Sequence, residues 1–96
     1  MTYKNSLAGL DAGGGKAVIN LRDTEKTPEL LMQFGKIVDS LQGKYITAED
    51  VGSSWEDMGI ISKTTNHVVL ADRDPSPATA LGVIRGMEAS VNFLRQ

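Results

Sequence analysis

The chain contains no cysteine. That removes a disulfide framework, a thiolate nucleophile and a Cys-ligated zinc site together. Histidine occurs once, as His67, with no second His or Cys to join it. A metal centre is therefore not expected, and His67 reads as a surface residue at a strand end. An excess of basic charge is also lacking, since ten Lys and Arg stand against twelve Asp and Glu for a formal charge of -2. Neither nucleic acid nor an anionic membrane would find its electrostatic footprint here. No apolar run approaches the ~18 residues of a membrane span, and no signal-peptide pattern is visible. Together these absences lead to the expectation of a soluble, cytoplasmic protein without nucleic-acid or membrane partners.

What is present suits one small domain over residues 1–96. A hydrophobic share of 41% can supply a core, and 23% charged residues argue against disorder. Thr27-Pro28-Glu29 reads as a capping hydroxyl, a proline at the first helical position and a carboxylate that complements the helix dipole. Behind it Leu30, Leu31, Phe34, Ile37, Val38 and Leu41 recur at helical spacing, with Gly43 as the stop. Ser53 and Glu56 fit a capping box ahead of a short stripe of Trp55, Met58 and Ile61. Ser76-Pro77 opens a further helix, predicted to bury Leu81, Ile84, Met87, Val91 and Leu94, with Gly82 and Gly86 leaving a groove. Residues 3–10 form another helix candidate.

Three short segments, 17–21, 45–48 and 67–70, carry strand character. Alternation of helices and strands predicts an α/β fold: a small, mainly parallel sheet of about three strands with flanking helices. So few strands leave sheet edges that need covering.

The segment GLDAGGGKAVI places Gly13, Gly14 and Gly15 before Lys16. It is not a phosphate-binding P-loop, because Leu10 stands where the first glycine is needed, Ala17 follows the lysine, and a strand candidate follows instead of a helix. A dinucleotide fingerprint fails as well, since counting from Gly13 puts Val18 at the third glycine position. The adjacent acids Glu49 and Asp50 would point to opposite faces of a strand, which disfavours a divalent-metal site. Asp72, Arg73 and Asp74 read as a solvated turn, and Trp55 as a core or interface anchor.

Taken together, MTYKNSLAGLDAGGGKAVI, YITAEDVGSSWEDMGII and DPSPATALGVIRGM resemble the substrate-binding (dimerisation) domain of the amino-acid dehydrogenases that act on glutamate, leucine, phenylalanine and valine. Within that family the segments resemble those of the leucine and phenylalanine enzymes. The three segments run in family order and account for most of the chain. The resemblance implies that Lys4 holds a substrate carboxylate, that Lys16 activates water or takes a proton, and that Asp50 assists proton transfer and binds the amino group. Gly13, Gly14 and Gly15 would line the substrate. The family reaction is NAD(P)-dependent oxidative deamination of an L-amino acid to a 2-oxo acid, with NAD as the cofactor.

Physical reasoning agrees with those roles. Glycines let backbone approach a small substrate without Cβ interference. A lysine acting as a base must give up its proton near neutral pH, which burial and a second cation such as Lys4 would favour.

The sequence also departs from the family. No dinucleotide-binding domain follows, so no cofactor site is expected in this chain, and the sheet is expected to be incomplete relative to the family domain. Val69 stands near the place of a family threonine, and Asp11-Ala12 replaces an apolar or proline-containing pair. The expectation is a truncated, partial domain that is not catalytic alone and retains weak binding of an amino acid or 2-oxo acid through Lys4, Lys16 and Asp50. Three alternatives stay open: inherited residues with no present task, a homo-oligomeric interaction module, and one part of a dehydrogenase completed by a separate cofactor-binding chain. Exposed sheet edges favour a homo-oligomer, most simply a dimer.

Overall fold

The computed structural model describes residues 1–22 and 24–96. Four helices follow in order: α1 (Thr2–Leu7), α2 (Pro28–Ser40), α3 (Trp55–Ile61) and α4 (Ser76–Leu94).

Helix α2 starts as its sequence dictates. The Thr27 hydroxyl accepts from the Leu30 N–H at 3.2 Å, Pro28 needs no amide partner, and Glu29 sits in the positive first turn. At the other end Gln42 and Gly43 turn left-handed, at φ 51° and 81°, and the chain leaves the helix axis. Helix α3 begins one residue later than the sequence reading placed it. Two capping frames overlap there, Ser53 with Glu56 and Ser54 with Asp57, and the second one forms. Ser54 N donates to Asp57 Oδ2 at 2.9 Å while the Ser54 hydroxyl accepts from Asp57 N at 3.3 Å. The second frame has outside support: the Lys26 ammonium reaches Asp57 Oδ2 at 2.5 Å and the Gly52 carbonyl at 3.1 Å, while the Ser53 hydroxyl is taken up by Asp50 N.

Among the described residues α2 and α3 are the only helices that pack together. Leu31, Met58 and Ile61 form the buried cluster, with Phe34, Ile60, Val68 and Ala71 against it. Val38 and Ile61 are each only 1% exposed. Full burial of such a side chain stabilises by about 1.5–3 kcal/mol. The helices approach closely at Gly35, where a Cβ would lie 2.0 Å from Thr64 Oγ1 and 2.9 Å from the Ile61 carbonyl. That absence of a side chain lets the Thr64 hydroxyl reach the carbonyls of Met32 and Ile61, both at 3.1 Å.

Strand pairing among the described residues is a single parallel bridge between Thr47 and Val68. Thr47 N donates to the His67 carbonyl and Val69 N to the Thr47 carbonyl, each at 3.0 Å. A left-handed Leu70, φ 56°, turns the chain away immediately afterwards. Residues 17–21 run without regular structure, and Val18 is 82% exposed. The three-stranded sheet expected from the sequence is thus not seen among the described residues.

Two helix expectations also change. Helix α1 ends at Leu7, short of residue 10, and buries nothing. Helix α4 forms, with Asp74 Oδ1 accepting from Ser76 N at 2.8 Å at its start. Its apolar stripe is uncovered, however, with Leu81, Ile84 and Met87 each more than half exposed. The radius of gyration is 16.4 Å, against about 12–13 Å for a compact domain of this length. The apolar surface of α4 therefore has the chemistry of a buried helix, and no other helix among the described residues covers it.

Candidate functional site

The site candidates come from three surface segments. Lys4 lies on α1, Lys16 follows the glycines, and Asp50 opens a tight turn before α3. In that turn Ser53 N donates to the Asp50 carbonyl at 2.9 Å, and Gly52 takes φ 83°, which a side chain would oppose. The Ser53 hydroxyl, in turn, accepts from Asp50 N at 2.9 Å. Lys26 ties the same turn to α3 through the Gly52 carbonyl. The backbone of Asp50 is therefore held from both sides before its carboxylate meets anything.

That carboxylate pairs with Lys16. The Lys16 ammonium donates to Asp50 Oδ2, and Val51 N donates to Oδ1 at 2.7 Å. The Lys16 bond first, then the Val51 N–H, hold the Asp50 carboxyl below the usual carboxylate range, and Lys4 adds a smaller pull of the same sign. Both partners are open to solvent, with side chains 61% and 58% exposed, so the pair adds little to stability. Lys16 and Asp50 thus form an exposed ion pair, and the charge of Lys4 on α1 acts weakly on the same carboxylate.

The glycines also pack against the chain itself. Asn5 Nδ2 donates to the Gly13 carbonyl and Gly14 N donates to Thr2 Oγ1, both at 2.8 Å. A Cβ on Gly14 would strike Thr2 N at 2.7 Å, and one on Gly15 would lie 3.0 Å from the Tyr45 ring. Gly13 alone faces open space. Close approach of the backbone thus requires a glycine at position 14, and a side chain at position 15 would have to displace the Tyr45 ring by a few tenths of an ångström. Sequence reasoning missed Thr2, Asn5, Tyr45 and Ser53 as supports; the i, i+3 spacing of Thr2 and Asn5 puts them on one helix face but does not say what that face meets.

Nothing in the loop fits a dinucleotide. Gly14 and Gly15 are filled by Thr2 and Tyr45, and no strand-to-helix turn surrounds them among the described residues. Asp72 and Arg73 pair with each other in a solvated turn, at 3.1 Å. No group of three metal-ligating side chains occurs among the described residues. Trp55 is half-buried at the start of α3, outside the buried cluster.

What this geometry defines is a small charge cluster of mixed sign on a glycine loop, carried by a helical scaffold. Comparison with known proteins gives it a lineage. The sequence model described as "Glu/Leu/Phe/Val dehydrogenase, dimerisation domain" matches residues 1–67. Leucine dehydrogenase of Bacillus subtilis is 48% identical over 98 residues, covering 94% of this chain and 27% of that protein. L-tryptophan dehydrogenase of Nostoc punctiforme is 46% identical over 95% of this chain and 27% of its own length. Valine dehydrogenase of Streptomyces virginiae is 44% identical over 98% of this chain and 28% of its own. The crystal structure of the Nostoc punctiforme L-tryptophan dehydrogenase superposes with a TM-score of 0.66 at 44% identity, over 94% of this chain and 26% of that one. The chain belongs to the Glu/Leu/Phe/Val dehydrogenase family. It spans about a quarter of the length of the curated relatives it matches. Among the described residues no helix is long and apolar enough to cross a membrane.

Proposed function

We propose that this chain supplies the amino-acid-recognising half of a dehydrogenase site and binds a small L-amino acid or its 2-oxo acid through Lys4, Lys16 and Asp50. The observation that carries this reading is the meeting of Lys16 and Asp50 from segments 34 residues apart, with the charge of Lys4 acting on the same carboxylate. An amino acid is a carboxylate beside an ammonium. Two cations answer the first group and one carboxylate the second, so the ligand complements all three side chains.

Binding replaces the Lys16–Asp50 contact: the ligand carboxylate goes to the lysines and its ammonium to Asp50. In a complete enzyme Lys16 would move the proton and Asp50 would steady the developing charge on nitrogen. Hydride transfer to NAD is not assigned to any of these residues. The α/β architecture with a small parallel sheet belongs to the same reading, supported by the Thr47–Val68 bridge. Calorimetry with L-leucine, L-phenylalanine, L-glutamate and their 2-oxo acids tests it. Millimolar binding that is lost in both Lys4→Ala and Lys16→Ala supports the site; no heat and no competition at 10–20 times a ~1 mM affinity would defeat it.

A second reading has its own observation. The uncovered faces of α4 and the family description as a dimerisation domain favour self-association, most simply as a dimer. Analytical ultracentrifugation at micromolar concentration should show a dimer; a stable folded monomer contradicts it.

A further inference from the structure

Helix α1 carries Lys4 yet buries no residue and packs against no other helix among the described residues. Something other than a core must hold Lys4 in place. Two side chains do so, and they flank it in sequence. Asn5 Nδ2 donates to the carbonyl of Gly13, and Thr2 Oγ1 accepts from the N–H of Gly14. That carbonyl and that N–H belong to one peptide group. Gripping both ends of a single peptide plane fixes its tilt as well as its distance, which one hydrogen bond cannot do. The contact is backbone-close, since any Cβ on Gly14 would strike Thr2 N. On the far side the Tyr45 ring stops the next residue, Gly15, and Lys16 follows directly.

We propose that Thr2 and Asn5 are positioning residues that set the spacing between Lys4 and Lys16, by fastening α1 to the Gly13–Gly14 peptide group. The inference deepens the amino-acid-binding reading and rests on it for its consequence in affinity. Lysine side chains are long and mobile, so two of them serve one carboxylate only if their backbones are registered. The clamp supplies that register at the surface, where burial cannot. The pull of Lys4 on the Asp50 carboxyl is consistent with it.

The full chain tests this with Thr2→Val, Asn5→Ala and the conservative Thr2→Ser, read two ways. The first readout is the affinity for L-leucine and its 2-oxo acid; the second is the NMR titration of the Asp50 carboxyl in the free protein. Each clamp-breaking variant should weaken binding by roughly tenfold, the scale of one net hydrogen bond. Each should also move the Asp50 titration upward, toward that of Lys16→Ala. Thr2→Ser keeps the hydroxyl and should behave as wild type. The amide resonances of α2 and α3 serve as the folding control, and should not move. Unchanged affinity and an unchanged Asp50 titration in Thr2→Val and Asn5→Ala would overturn the proposal. If the wild-type chain binds neither ligand, the binding reading falls, and the Asp50 titration still decides the clamp: an upward move supports it and none refutes it.

Discussion

Helices α2 and α4 look alike in sequence and end differently. Each follows a proline-bearing start, and each carries five or six apolar residues at helical spacing. Yet α2 buries Leu31, Gly35 and Val38, while α4 buries nothing. Periodicity states that a face can be buried; another element must arrive to bury it. For α2 that element is α3, brought in by the Thr64 contact at Gly35 and by the Lys26 tie to Asp57. For α4 no other helix among the described residues does so. The glycine loop and α1 make a third case, held by hydrogen bonds at the surface with no apolar burial at all. Stability and site geometry are thus separable here, and variants can pull them apart.

The largest effect is expected inside the α2–α3 contact. Ile61→Ala should cost about 2–5 kcal/mol, the range for emptying a buried aliphatic site, and urea unfolding measures it. A loss below 1 kcal/mol would mean that the pair is not where stability lies.

Next comes Asp57, only 8% exposed at the cap of α3. Burial raises its carboxyl, but Lys26 and the Ser54 N–H together outweigh this and leave it below the usual range. A lowered carboxyl stabilises the fold above its unfolded value of ~3.9, and that contribution disappears as pH falls through the lower folded value. Asp57→Asn should therefore cost about 1 kcal/mol at neutral pH, near the usual worth of a cap, and flatten the loss of stability expected for the wild type as pH falls below about 4, read by urea unfolding. Equal acid sensitivity in both proteins would place the effect on other carboxylates.

The smallest effect belongs to α4. Met87, 64% exposed, should tolerate serine within about 0.5 kcal/mol in the monomer at low concentration. A cost that grows toward that of Ile61→Ala as protein concentration rises would show that a second copy covers α4.

Legibility in the sequence followed the same division. The start of α2 was readable because Thr27, Pro28 and Glu29 act on the nearest amides alone. The cap of α3 lies one residue from the expected place, because Ser53 and Ser54 both present a local frame and the contacts that separate them, Lys26 to Asp57 and Ser53 to Asp50, are not part of the capping pattern. The uncovered stripe of α4 could not be read, since exposure depends on a missing neighbour and not on the stripe. Lys4, Lys16 and Asp50 were nameable only through family resemblance; Thr2, Asn5 and Tyr45 were not, because their contacts span 8 to 30 residues of chain.

The most direct test of the account is a titration of the isotopically labelled chain with L-leucine, followed residue by residue in amide NMR spectra. Shifts confined to residues 2–5, 13–16 and 50–53, with α2 and α3 unmoved and all shifts lost in Lys16→Ala, are the predicted result. Absence of shifts at saturating millimolar ligand, or shifts centred on α2 and α3 that survive Lys16→Ala, would contradict it.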